Sequence, residues 1–313
     1  MEKRILHITN GSVLSRKLLE LDFKGDFLTW EEMLCEGPTF EDIDSEAFFE
    51  TRKRFFASVY QLELDVNTFK GELNKLQNTN KYSEIILWFE YDLFCHINML
   101  AVISLIQQKK IKSPLYLVCS GRISGNKNLV GLSELSTDQL IKHYQERVLL
   151  THDDINLAKS LWQIYCGYDH NLFKPYIIKT SSFKYLSNCL KAHLERFPDS
   201  KSGLNILETN ILEIIKNNHI KSEHHLLGYA LNYQGYYGFG DLQLQRTIEI
   251  LSIFFDSSSK GLALNRKGHE ALLGQHNFFS EINNTIYYGG AKNADFQFSK
   301  SHNKLIKTPK NVH

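Results

Sequence analysis

The chain has 313 residues, 42% of them apolar, and 36 Lys and Arg against 35 Asp and Glu give it a formal charge of +1. That length exceeds one typical domain and the apolar share is ample for a core, so two domains are the first expectation. The balanced charge lacks the basic excess of a dedicated nucleic-acid binder, which leaves only a local basic patch for such a role.

The five cysteines, Cys35, Cys95, Cys119, Cys166 and Cys189, are scattered and form no C-x-x-C pair. They suggest neither a disulfide framework nor a structural zinc site, but buried thiols in a reducing compartment. Glu2, Lys3 and Arg4 lead straight into a short strand-like run, so no secretory leader is expected. No segment approaches the roughly 20 apolar residues that span a bilayer. The sequence therefore reads as a soluble, cytoplasmic protein with no membrane partner.

Residues 4–9 form a short β-branched run, apolar in the middle apart from His7, and predict a first strand. It ends at Asn10-Gly11, a turn signal, after which Ser12 reads as the N-cap of a helix over 13–21. Gly25-Asp26 precedes a second strand at 27–29, so the first β-α-β unit fits in about 30 residues. Helices with charged outer faces are predicted over 45–60 and 66–76. Residues 83–89 are the clearest buried strand, 93–108 the helix after it, and 115–119 a strand introduced by Pro114. This alternation predicts an α/β fold with a mostly parallel, Rossmann-like sheet.

From Ser136 onward the pattern is helix after helix: 137–149, 153–166 and 183–196, then 207–216, 222–231 and 241–255. A strand-like piece at 262–264 precedes a helix at 268–273. Three short helices, a strand and a turn predict a winged-helix-like unit, a form that serves DNA binding and protein scaffolding alike. The expected organisation is an α/β domain at 1–135, a helical connector at 136–200 and a winged-helix-like, mainly helical domain at 201–313. Its tail from Ser299, with Lys300, Lys304, Lys307 and Lys310, is expected to fray.

Three sets of motifs, Leu6-His-Ile-Thr-Asn-Gly11, Thr29-Trp30 with Leu34-Cys-Glu-Gly-Pro38, and Leu87-Trp-Phe-Glu-Tyr-Asp-Leu-Phe94, resemble the domain-of-unknown-function 1835 family of bacterial proteins. Gly203-Leu204 with Glu208, and Leu264-Asn with Gly268, look like the companion C-terminal domain often found behind it. The resemblance covers most of the chain and implies the architecture rather than a chemistry. The chain differs from the family's pattern at Ser12, Cys35 and His96, where Asp, His and Gln respectively are expected.

The first candidate site is the strand-loop-helix over residues 5–21, with Asn10, Gly11 and Ser12 lining a helix N-terminus that attracts phosphate or carboxylate. One glycine is neither a G-x-G-x-x-G nor a Walker loop, and a plain turn capped by Ser12 explains it equally. His7 reads as a general base or as a core histidine bonded to a carbonyl. Glu90 and Asp92 stand just beyond a strand end, where parallel sheets bind ligands, and read as a catalytic or metal-holding pair. Alternatively, Asp92 caps the next helix while Glu90 pairs with Arg52 or Arg54. Trp30, Glu36 and His96 should reach the same edge, and His96 with His7 and Asp92 would make a mixed N/O metal site that no spacing demands. No metal or cofactor is assigned.

On the helix over 241–255, Gln243, Gln245, Arg246 and Glu249 suggest either a base-reading face or a solvated one. The aromatic cluster Tyr233, Tyr236, Tyr237 and Phe239 reads as inter-helix packing. The leading expectation is an enzyme or binding protein for a phosphorylated or nucleotide-like small molecule. His7, Glu90 and Asp92 would be catalytic, and Asn10, Gly11, Ser12, Trp30, Glu36, Arg52 and His96 would bind. The competing expectations are a ligand-sensing regulator that binds DNA through the winged helix, and an interaction scaffold.

Overall fold

The computed structural model describes residues 4–77 and 79–308. The expected tail residue Lys310 lies outside them, as do Glu2 and Lys3. The chain opens with β1 (Arg4–Asn10), α1 (Ser12–Glu20) and β2 (Asp26–Trp30), followed by α2 (Glu46–Phe55) and α3 (Val66–Leu73). Next come β3 (Tyr82–Trp88), α4 (Leu93–Gln108), β4 (Leu115–Val118), α5 (Thr137–Gln145) and β5 (Val148–Leu149). The five strands form one sheet in the order β2-β1-β3-β4-β5, parallel except for β5. The strand order reverses between β1 and β3, and ligands of such sheets bind in the crevice outside the carboxyl ends at that point.

Burial on both faces explains why β3 reads as a continuous apolar run. Ile85 and Leu87 pack on one side, and Ile86 and Trp88 on the other with Leu14 and Leu18 of α1 and Leu140 of α5. α4 is apolar all round, as a helix wrapped by protein must be: every residue from Cys95 to Ile106 is buried. It packs on the sheet and against α6 (His152–Cys166) and α8 (Leu186–Glu195), with the short α7 (Lys174–Ile177) between them. The first hydrophobic cluster runs without a break from Leu6 to Leu305.

Beyond residue 200 the chain forms α9 (Ile206–Asn217), α10 (Glu223–Tyr233) and α11 (Asp241–Ile250), then the hairpin β6 (Phe255–Ser258) and β7 (Gly261–Leu264). The Leu262 N–H donates to the Ile220 carbonyl (2.8 Å), which ties the hairpin to the segment between α9 and α10. The chain continues with α12 (Arg266–Leu272), α13 (Phe279–Ile282), the short pair β8 (Tyr287–Tyr288) and β9 (Ala291–Lys292), and the hairpin β10 (Phe296–Ser299) and β11 (Lys304–Lys307).

Three expectations are corrected. The helix over 137–149 stops at Gln145, because Val148 and Leu149 pair antiparallel with β4. The helix over 241–255 stops at Ile250, and Phe255 opens β6. The tail expected to fray is instead a hairpin through residue 307. Phe296, Phe298 and Leu305 are buried, and the Asn171 amide donates to the Leu305 carbonyl (3.0 Å) and accepts from its N–H (2.8 Å). Among the described residues no helix is long and apolar enough to cross a membrane.

Candidate functional site

A groove runs along the carboxyl ends of β1 and β2. One part, about 360 Å³, is lined by Asn10, Gly11, Trp30 and Glu31, with an apolar wall that includes Met33, Phe56, Leu64 and Phe94. A second part, about 390 Å³, is lined by Ser12, Thr29, Glu31, Asp65 and Glu72. Glu31 and Leu64 belong to both. Among the described residues neither Lys nor Arg lines either part.

The expected cap is one residue off. Ser12 is the exposed first residue of α1, and Gly11 stands at the N-cap with φ 95° and ψ 156°, a conformation open to glycine. The Gly11 N–H donates to the Trp30 carbonyl (3.0 Å), and no side chain caps the first turn. The helix end therefore has N–H groups without a side-chain acceptor beside the groove. Below it the hydroxyls of Thr9, Ser15 and Thr29 form a buried chain, Ser15 to Thr29 at 2.8 Å, that ties β1, α1 and β2 together.

The groove's floor is held by residues that do not touch its space. Asn98 is fully buried in the middle of α4. Its amide donates to Asn10 Oδ1 (2.8 Å) and to the Glu32 carbonyl (2.7 Å), and its Oδ1 accepts from the Leu34 N–H (3.2 Å). The Asn10 amide in turn donates to Cys95 Sγ (3.1 Å). Sequence reasoning missed Asn98, although a lone amide inside an apolar helix is a usable signal. It also missed Glu31, Met33, Phe56, Leu64 and Phe94. Phe56 and Leu64 reach the groove from segments that no local pattern connects to the Asn-Gly turn.

Arg52, expected to bind ligand, is completely buried and fully committed. Its guanidinium grips Glu32 (2.8 Å at the closest) and donates to the carbonyls of Met33 (2.9 Å) and Glu36 (2.7 Å), so it braces the loop after β2. It does not pair with Glu90. Glu36 is buried and accepts from the Tyr60 hydroxyl, away from the groove. Tyr60 is held protonated by that burial and by the Glu36 charge.

His7 has no free nitrogen for a general base. Its Nε2–H donates to the Lys24 carbonyl (3.2 Å) and its Nδ1 accepts from Trp88 Nε1–H (3.1 Å). The ring stacks on Phe27, with centroids 4.8 Å apart, on the face of the sheet covered by α1 and α5. Burial lowers its pKa to about 4, partly opposed by the Lys24 bond. It is a neutral core histidine, and the mixed site with Asp92 and His96 does not form.

Glu90, Asp92 and Cys95 do come together, their ligand atoms within 4.8 Å of one another, the one such group among the described residues. Each acidic group already has a structural task. Glu90 accepts from the Leu132 N–H (2.7 Å), and burial raises its pKa. Asp92 caps α4 by accepting from the Cys95 N–H (2.7 Å); burial, then repulsion by Glu90, push its pKa up to about 7. Burial likewise raises the pKa of the Cys95 thiol well above its usual value. The crevice above it is plugged. The N–H groups of Leu93 and Phe94 donate to the carbonyls of Tyr236 (2.7 Å) and Tyr237 (3.1 Å), and a Cβ on Gly238 would fall 2.2 Å from Asp92 Cγ. His96 Nδ1–H donates to the Asp92 carbonyl (2.9 Å), and burial lowers its pKa to about 4. Of the ten expected residues, Asn10, Gly11, Ser12 and Trp30 line the groove; His7, Glu36, Arg52, Glu90, Asp92 and His96 do not.

The residues of α11 that suggested a base-reading or a solvated face divide, with Gln245 and Glu249 exposed. Gln243 is buried and reaches Cys35 Sγ (3.6 Å), Gln245 donates to Glu249 (3.2 Å), and Arg246 donates to Asn284 (2.8 Å). Of the aromatic cluster, Tyr237 and Phe239 are buried as packing residues, whereas Tyr233 is 66% exposed. In comparisons with known proteins, no family model and no curated protein matches the chain.

Proposed function

We propose that the protein binds a small, nucleoside-like molecule in the groove outside β1 and β2. The observation that carries the reading is the groove's composition from end to end: an uncapped helix N-terminus, an acid one residue beyond β2, and an apolar wall. Each element has a matching ligand part. The first turn of α1 suits one anionic group, Glu31 suits vicinal ribose hydroxyls, and Phe56, Phe94 and Met33 suit a planar base. Glu31, Glu63 and Asp65, with no lysine or arginine beside them in the groove among the described residues, disfavour a polyphosphate. The groups expected to catalyse lie outside the groove, which favours binding over turnover.

We read α9, α10, α11 and the β6–β7 hairpin as a winged-helix-like unit that serves as scaffold. The burial of Gln243 and the engagement of Arg246 support that role over base reading. The test is calorimetric titration with a panel of ribonucleosides and their monophosphates and diphosphates. Monophosphates should bind more tightly than diphosphates, and Glu31→Gln should weaken a ribonucleoside at least about tenfold, the equivalent of one lost hydrogen bond to a charged group. Absence of binding across the panel, or unchanged affinity in Glu31→Gln, defeats the proposal.

A further inference from the structure

A second cleft, about 490 Å³, lies between the loop after β4, which contributes Asn128, and one face of α10. His225, Tyr229 and Tyr233 follow one another at helical spacing on that face. His225 meets Tyr229 edge-on at 5.1 Å between centroids, and Tyr229 meets Tyr233 at 5.9 Å. Tyr233 is 66% exposed.

Gly228 lies inside the same helix and on the cleft wall. A glycine in a helix interior is less stable than alanine there. A Cβ at Gly228 would meet nothing within 4 Å, so the fold has room for a methyl group at this position. Such a methyl group would stand on the cleft wall and hold a bound ring away from the backbone.

The polar groups define the chemistry of that molecule. The Lys221 N–H donates to His225 Nδ1 (3.1 Å), so the proton of a neutral ring is on Nε2, a donor without a partner among the described residues. The Asn232 amide donates one hydrogen to the Gly228 carbonyl (2.8 Å) and keeps its second hydrogen and its Oδ1. Asn128 adds another amide and His224 a second imidazole, and no Lys, Arg, Asp or Glu lines the cleft among the described residues. A nucleic-acid strand needs cations along its phosphates, which argues against it here. Tyrosine faces for C–H surfaces, together with neutral groups that both donate and accept, match a polyhydroxylated ring.

We infer that the α10 cleft is a binding site for a neutral saccharide, with room for a mono- or disaccharide stacked on Tyr229 across Gly228. The site is separate from the groove at β1 and β2 and does not depend on what that groove binds. The test uses the full chain on an array of neutral mono- and disaccharides, followed by saturation-transfer NMR with the best array ligand. Tyr229→Ala and Gly228→Ala are the variants. Gly228→Ala should raise the melting temperature, as alanine does in a helix, yet weaken the saccharide at least tenfold, a combination that a folding defect does not produce. Tyr229→Ala should abolish the transfer signal. An empty array, saccharide binding that survives both variants, or binding of single-stranded oligouridylate with no saccharide would each overturn the inference.

Discussion

The substitution Asp92→Asn separates the two things Asp92 does: it caps α4 and it carries a buried charge. The cap needs only an acceptor for the Cys95 N–H at 2.7 Å, which the asparagine carbonyl oxygen keeps. The charge is the unfavourable part, because burial and then Glu90 lift its pKa from 3.8 to about 7. The folded state holds a proton that the unfolded state has already lost, so stability falls as pH rises from about 4 to 7 and stays low above that. At 1.36 kcal/mol per pH unit the ionised form is disfavoured by about 4 kcal/mol, more than the 0.3–1 kcal/mol a helix dipole usually returns. His7 and His96, with pKa values lowered to about 4, act in the opposite sense: their neutral forms favour folding at neutral pH, and that contribution is lost as pH falls from 6.5 to about 4. Subtracting variant from wild type cancels their contribution. Urea unfolding followed by circular dichroism at about pH 5 and about pH 8 measures the difference. The Asn variant should be more stable than wild type by roughly 2–4 kcal/mol at the higher pH and by much less at the lower. An Asn variant less stable than wild type by the same amount at both pH values would refute the reasoning and make the ionised cap favourable.

Three further variants test the bracing of the groove. Arg52→Ala strands the buried Glu32 carboxylate and should lower unfolding stability by about 3–5 kcal/mol in denaturant melts. The double change Arg52→Met with Glu32→Gln removes both charges and should lose less than that single change. Asn98→Leu removes the partners of Asn10 Oδ1, the Glu32 carbonyl and the Leu34 N–H, at about 1–3 kcal/mol for each group left buried and unbonded. It should also broaden the Asn10 and Met33 amide resonances, because their loops lose a common anchor.

The sequence made the sheet legible where burial left a local imprint. β3 is covered on both faces and α4 on every side, so both appear as uninterrupted apolar runs with bounds within a residue of those observed. The Asn10-Gly11 turn was legible because a strand end, a glycine and a helix start are neighbours in the chain, whereas Trp30 came in only through the Thr29-Trp30 motif. Arg52 and His7 misled, since a buried polar side chain looks functional until its partner is known. Glu32 lies 20 residues from Arg52, and Trp88 lies 81 from His7. The far wall of the groove was hidden for the same reason: Leu64 and Asn10 come to line one groove only in three dimensions. The lysines at 300, 304 and 307 masked a hairpin whose signal was the alternation of Phe296 and Phe298 against Leu305.

The location of the ligand is the central claim, and amide chemical-shift mapping tests it most directly. Titration of the isotope-labelled full chain with a ribonucleoside monophosphate should move the amides of Gly11, Ser12, Val13 and Glu31, and leave those of Leu132 and Cys95 in place. Shifts centred on Glu90, Asp92 and Cys95, with the Gly11–Val13 amides unmoved, would contradict the account and restore the plugged crevice as the site.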